Sequence, residues 1–231
     1  KLRRHIHLEP RVQGLQPAAA SRRFPSYLAP AMTQLPELPL TLSRQEIRKM
    51  IRQRRRALTP EQQQEMGQQA ATRMMTYPPV VMAHTVAVFL SFDGELDTQP
   101  LIEQLWRAGK RVYLPVLHPF SAGNLLFLNY HPQSELVMNR LKIHEPKLDV
   151  RDVLPLSRLD VLITPLVAFD EYGQRLGMGG GFYDRTLQNW QHYKTQPVGY
   201  AHDCQLVEKL PVEEWDIPLP AVVTPSKVWE W

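Results

Sequence analysis

The residues best suited to chemistry stand in Arg175-Leu-Gly-Met-Gly-Gly-Gly-Phe-Tyr-Asp184, part of a stretch from Asp170 that holds five of the chain's eleven glycines. Glycine backbone can approach a phosphate closely, and the free N–H groups of a helix's first turn point at it. The apolar run over residues 159–169 reads as a buried strand leading into this loop, and residues 182–193 read as a helix leaving it. Strand, loop and helix start together predict an anion cradle. The pattern is neither a Walker A loop, which needs Gly-Lys-Ser/Thr, nor a dinucleotide fingerprint with an acid about twenty residues on. Asp184 falls in the first helical turn, where a carboxylate either holds Mg²⁺ against bound phosphates or offsets the helix dipole. Tyr183 beside it offers an edge donor or ordinary packing.

Two further groups carry chemistry. Asp93, Glu95 and Asp97 follow the first predicted strand. Asp93 and Asp97 suit a turn and a helix start, which leaves Glu95, next to Gly94, to meet a substrate amide or amine. Arg44 and Arg48 lie four apart on one helix face, so both can reach one polyanion. The eight histidines form no HxxxH or HExxH spacing and no serine sits in a Gly-x-Ser-x-Gly elbow, which disfavours zinc and serine-nucleophile chemistry. Aromatic residues show no RNA-stacking pattern, so nucleic acid is a weak alternative partner.

These groups need elements to position them. Ser43 and Glu46 form a capping box that starts a helix running to about Arg56, with Ile47, Met50 and Ile51 as its apolar stripe and seven arginines and lysines around it as a mostly solvated surface. Thr59, Pro60 and Gln62 start a second helix that runs to Thr76, ahead of Pro78, so a helical hairpin is expected. Strands over residues 85–92, 111–117, 125–130, 159–169, 197–201 and 221–224 then alternate with helices over 99–108 and 182–193. That alternation predicts an α/β fold, a mostly parallel sheet flanked by helices. Ligands bind such sheets at the carboxyl ends of strands, which selects residues 91–95 and the glycine stretch. Residues 130–157 read as a polar excursion over the sheet edge.

Composition bounds the rest. A chain of 231 residues can bury a full core, and the single cysteine, Cys204, excludes an internal disulfide and suits a reducing compartment. No apolar run approaches the ~18 residues of a membrane span. The net charge of +4 is uneven: residues 1–31 hold six basic side chains against Glu9, a net +5, which leaves −1 for the remainder. The body is therefore not basic. Residues 1–42 read as a disordered leader and linker, arginine-rich like a transit peptide but rich in proline, and the functional protein is expected to begin near Met32. Residues 43–231 are expected to form a single α/β catalytic domain.

Taken together, Phe169-Asp-x-x-Gly-x-Arg-Leu-Gly-x-Gly-x-Gly-Phe-Tyr-Asp184, the strand end Leu90-Ser-x-x-x-Glu95 and the basic first helix resemble the 5-formyltetrahydrofolate cyclo-ligase family, also called 5,10-methenyltetrahydrofolate synthetases. The resemblance runs from about Ser43 to Thr224. It implies an ATP- and Mg²⁺-dependent enzyme that converts 5-formyltetrahydrofolate to 5,10-methenyltetrahydrofolate, acting as a cytoplasmic monomer. Position by position, it implies nucleotide contacts at Arg44, Arg48, Arg175, Leu176, Gly177, Met178, Gly179, Gly180, Gly181, Phe182 and Tyr183. Folate contacts are implied at Leu90, Glu95, Met178 and Phe182, and magnesium carboxylates at Asp184 and Asp216. Glu95, Arg175 and Tyr183 take the catalytic roles. The family often has lysine at the position of Arg44 and reads Gly-Arg-Gly-Lys-Gly where this chain has Gly177-Met-Gly-Gly-Gly181, so Arg48, Arg175 and Mg²⁺ would carry more of the phosphate charge. The rival enzyme reading is a sugar-phosphate isomerase or acyl-CoA transferase that uses the loop for a substrate phosphate without ATP.

Overall fold

Both capping boxes close as local chemistry dictates. The computed structural model describes residues 42–231, within the unit Gln34–Trp231, and the expectations for the leader lie outside the described residues. Helix α1 (Arg44–Arg56) starts where the Ser43 hydroxyl accepts from the Glu46 N–H at 3.2 Å and the Glu46 carboxylate accepts from the Ser43 N–H. Helix α2 (Pro60–Thr76) repeats the device with Thr59 and Gln62. Proline at a first helical position costs no hydrogen bond, and the same property lets Pro78 open a short α3 (Pro78–Met82) at the corner where the sequence predicts only a stop. The two long helices differ in what they pack on: α1 against a small sheet, α2 against α4 (Gln99–Arg107) over the main one.

The strands are β1 (Thr85–Ala87), β2 (Arg111–Leu117), β3 (Leu125–Tyr130), β4 (Leu136–Met138), β5 (His144–Pro146), β6 (Val153–Leu154), β7 (Val161–Thr164), β8 (Ala168–Asp170), β9 (Arg175–Leu176), β10 (Gln196–Tyr200), β11 (Leu206–Val207), β12 (Ala221–Val223) and β13 (Val228–Glu230). Eight of them form one sheet in the order β13-β12-β10-β7-β1-β2-β3-β6. Its five central strands, β12 to β2, run parallel, and antiparallel β13, β3 and β6 finish the two edges. The mostly parallel α/β architecture is therefore present. Alternation sets the faces: Val86, Val161, Ile163, Val198, Ala221 and Val223 meet Met74 of α2 and Leu101, Ile102 and Leu105 of α4. Ala87, Leu162 and Val222 point the other way, to Phe169, Leu206 and Leu187 of α5 (Phe182–Leu187).

Several elements differ from expectation for identifiable reasons. The run 159–169 is two strands, because Pro165 has no N–H for the ladder and the chain leaves the main sheet there to form β8 in a second sheet, β11-β8-β9. The first strand's ladder ends at Ala87, and beyond it the Thr98 hydroxyl donates to the Phe89 carbonyl at 2.7 Å. Helix α5 stops at Leu187 and not near Tyr193, since Asn189 adopts a left-handed φ of 62°. The excursion over 130–157 holds the β4–β5 hairpin and the edge strand β6.

The small sheet is what fixes the glycine stretch. Asp170, fully buried, accepts from Tyr172 N–H at 2.9 Å and Gln174 N–H at 3.1 Å through one oxygen, and from Leu210 N–H at 2.9 Å through the other. One carboxylate thus shapes the turn before β9 and docks the chain that follows β11. Asp170→Asn would set an NH₂ group against one of these donors, so a loss of about 2 kcal/mol is expected, read as a fall of roughly 4–8 °C in thermal denaturation. Ile47 and Ile51 of α1 cover this sheet with Val167, Ala168, Leu176 and Val207.

Candidate active site

The carboxyl ends of β1 and β7 open into a cleft of about 670 Å³. Arg44, Arg48, Leu90, Glu95 and Arg175 line it, as does every residue from Gly177 to Asp184. Of the residues that the resemblance assigns to the site, only Leu176 and Asp216 are absent from its wall. Leu176 is buried beneath α1, and Asp216 stands behind Arg44.

The glycine loop presents its backbone. From residue 178 to residue 184 no N–H finds a backbone acceptor among the described residues. Gly179 and Gly181 sit at φ of 105° and 71°, where a side chain is strained, and a Cβ on Gly180 would lie 2.8 Å from the Phe182 ring. Two guanidinium groups hold the loop's carbonyls: Arg48 Nε donates to Gly177 O at 2.7 Å, and Arg185 Nη1 donates to Gly180 O and Gly123 O, both at 2.9 Å. A trans peptide points its C=O and following N–H in opposite directions. Each pinned carbonyl therefore sets the direction of the next N–H. Nothing in the sequence marked Arg185 for this task, because Gly123 lies 62 positions away.

Two carboxylate–arginine pairs frame the loop. Asp184 Oδ1 accepts from Arg175 Nη2 and from Ile217 N–H, each at 3.2 Å, with the two side chains 3% (Arg175) and 13% (Asp184) exposed. Burial pushes the Arg175 pKa down from its ordinary value, and Asp184 opposes the shift. Asp216 receives both Nη groups of Arg44, at 2.6 and 3.1 Å. Tyr183 packs beside Arg175, whose Cζ lies 5.9 Å from its ring centroid, and burial raises its hydroxyl pKa.

Glu95 is fixed from behind. Its Oε1 accepts from Phe92 N–H at 3.1 Å, and burial pushes its carboxyl up to about 7, against the pull of that N–H and of Arg55. Arg52, Arg55 and Arg56 of α1 converge on Asp93 at 3.8, 3.7 and 2.6 Å, so much of the surface read as solvated instead anchors this loop. Asp93 and Gly94 both have positive φ, and a Cβ on Gly94 would lie 3.2 Å from Arg55 Cβ. Buried His202 holds the Gly94 carbonyl at 3.1 Å, and desolvation lowers its pKa to about 4, leaving it neutral near pH 7. Asp97 accepts from Gln99 N–H, in keeping with a helix-start role.

A family model described as the 5-formyltetrahydrofolate cyclo-ligase family matches residues 41–225. The chain belongs to that family. A 5-formyltetrahydrofolate cyclo-ligase of Haemophilus influenzae is 53% identical over 179 residues, 78% of this chain and 96% of its own length. One from Mycolicibacterium smegmatis is 31% identical, over 80% of this chain and 95% of its own. Among solved structures, the 5,10-methenyltetrahydrofolate synthetase of Aquifex aeolicus superposes with a TM-score of 0.70 at 28% identity, covering 82% of this chain and 93% of that one.

Within this cyclo-ligase fold, the carboxylates differ in their fitness for a divalent ion. Among the described residues no cluster of three or more His, Cys, Asp or Glu forms a protein cage. Magnesium does not require one, since it commonly takes one or two carboxylates with substrate phosphates and water. Asp184 uses only Oδ1 within the chain, so Oδ2 fits that task. Asp216 is already engaged, since Arg44 and Glu213 N–H bond its two oxygens, and it stands behind Arg44 and not on the cleft wall. The sequence reading also missed the β4–β5 hairpin's part in the site: Asn139, Leu141, Ile143 and Glu145 of this hairpin line the same cleft. Its only signal was a three-residue apolar run, Leu136 to Met138, too short to separate from a loop. Among the described residues no helix is long and apolar enough to cross a membrane.

Proposed function

We propose that this chain is a 5-formyltetrahydrofolate cyclo-ligase, closing 5-formyltetrahydrofolate to 5,10-methenyltetrahydrofolate with conversion of ATP to ADP and phosphate. One observation carries the reading: in a chain of this family, a single cleft is lined by acceptor-free backbone N–H groups, by Arg44, Arg48 and Arg175, and by Glu95 together with apolar side chains.

An N-formyl amide is a poor electrophile. Transfer of the γ-phosphoryl group to the formyl oxygen converts that oxygen to a leaving group, and ADP departs. N10 then attacks the formyl carbon, its N–H proton is lost, and phosphate leaves with the oxygen. No protein nucleophile is needed, so the chain contributes positioning and electrostatic stabilisation. The N–H groups of residues 178–184 and the guanidinium groups of Arg44 and Arg48 cradle the phosphates. Arg175 holds Asp184, whose free oxygen would hold magnesium. That ion, when bound, would neutralise charge on the transferring phosphoryl group. Glu95 accepts from a substrate N–H and fixes the formyl group in line, with Tyr183, Phe182, Met178 and Leu90 excluding water around it. The chain would act as a cytoplasmic monomer on small-molecule substrates, a setting that its lone cysteine suits.

The test is an absorbance assay of the full chain with 5-formyltetrahydrofolate. The methenyl chromophore is expected only when ATP and Mg²⁺ are both present. Turnover of a sugar phosphate or acyl-CoA without ATP, and none of the folate, would overturn the assignment.

A further inference from the structure

Residues 211–217 join the cleft at its phosphate side, and both flanks of Trp215 are pinned there. Before it, Arg44 Nη1 donates to Pro211 O at 3.1 Å, and Glu213 N–H donates to Asp216 Oδ2 at 2.9 Å. After it, Asp216 takes both Nη groups of Arg44, and Ile217 N–H donates to Asp184 Oδ1. The indole between these anchors lines the cleft and is 64% exposed. A single exposed aromatic is ordinary on a protein surface. Trp215 differs in lining the cleft between neighbours that are tied to Arg44 and Asp184. Gln45, exposed on the first turn of α1 beside Arg44, lines the same cleft and offers a carboxamide donor and acceptor.

We propose that Trp215 is the platform on which the purine ring of the nucleotide stacks, with Gln45 reading the ring's polar edge. This rests on the ATP-dependent reading of the cleft and extends it to a base subsite. An aromatic face accepts a heteroaromatic base at little conformational cost, since the ring has few rotors and its backbone is already anchored. Leu117, Leu125, Leu141 and Ile143 line the same cleft and offer the apolar surface that suits the folate instead.

Titration of the full chain with MgATP, without folate, tests this through intrinsic fluorescence and calorimetry. ATP is expected to quench part of the emission, and the quench should vanish in Trp215→Phe with affinity largely kept. Trp215→Ala should weaken ATP binding on the order of tenfold, as loss of one base stack does elsewhere, and leave KM for 5-formyltetrahydrofolate unchanged. Inorganic tripolyphosphate, which has no base, should bind without quenching and be indifferent to both substitutions. Equal ATP affinity in wild type and Trp215→Ala, or a rise in folate KM alone, would overturn the platform while leaving the cyclo-ligase reading standing. If neither ATP nor tripolyphosphate binds and no methenyl product forms, both fail. Trp215 is exposed, so an unchanged melting temperature serves as the folding control.

Discussion

Replacing Asp184 by asparagine is expected to abolish ATP-dependent formation of the methenyl chromophore, a loss on the order of 10³-fold in kcat. The substitution is nearly isosteric and leaves an oxygen for the Ile217 N–H, so the loop should stay in place. What disappears is the charge that would hold the metal and that now balances Arg175. Stability should respond as well. Arg175 is almost wholly buried, and its Nε has no partner of its own, so a neutral residue at 184 leaves an under-compensated guanidinium inside the protein. Asp184→Ala should cost about 3 kcal/mol, or roughly 6–12 °C in melting temperature, and Asp184→Asn about half as much. Kinetics and calorimetry on both variants separate the two effects. An asparagine variant with more than a tenth of wild-type turnover would remove Asp184 from the metal role.

Glu95→Gln is expected to lower kcat/KM for 5-formyltetrahydrofolate about 100-fold with little change in KM for ATP, the size of one charge-assisted hydrogen bond. The pH profile should change with it. Burial raises the Glu95 carboxyl to about 7, so the form able to accept from substrate is lost as pH falls through that value. Wild-type kcat/KM should then decline tenfold per unit below pH 7, and the glutamine variant should lack that limb. Stability runs the opposite way. A carboxyl that holds its proton more tightly folded than unfolded stabilises the fold below about 4.5, and that contribution fades as pH rises to about 7. Unfolding titrations of the wild type against the variant should show this slope only in the wild type. A wild-type profile flat between pH 5.5 and 8 would sink the assignment.

What could be read from the sequence was what is encoded locally. Both capping boxes close within four residues, and both close as read. Short apolar runs interleaved with helical segments marked the central parallel strands, and the glycine stretch announced a backbone cradle through its own composition. Long-range polar pairing was another matter. That Arg48 would reach Gly177, Arg44 would clasp Asp216 and three arginines would share Asp93 depends on partners 37 to 172 positions apart, for which no spacing rule exists. The split at Pro165 was visible as a residue but not as an outcome. A proline ends a ladder, and only the second sheet, built with β9 and β11, shows where the chain goes next.

The Arg44–Asp216 clasp joins positions 172 residues apart, near the two ends of the folded body. During synthesis the first helix therefore emerges long before the segment that completes its wall of the cleft. A nascent chain could pair β1, β2, β7 and β10 before residue 216 emerges, but neither the Arg44 clasp nor the last parallel strand, β12, can form until the chain beyond it is made. Ribosome-bound intermediates of this protein would carry α1 with Arg44 still unclasped and the parallel sheet one strand short.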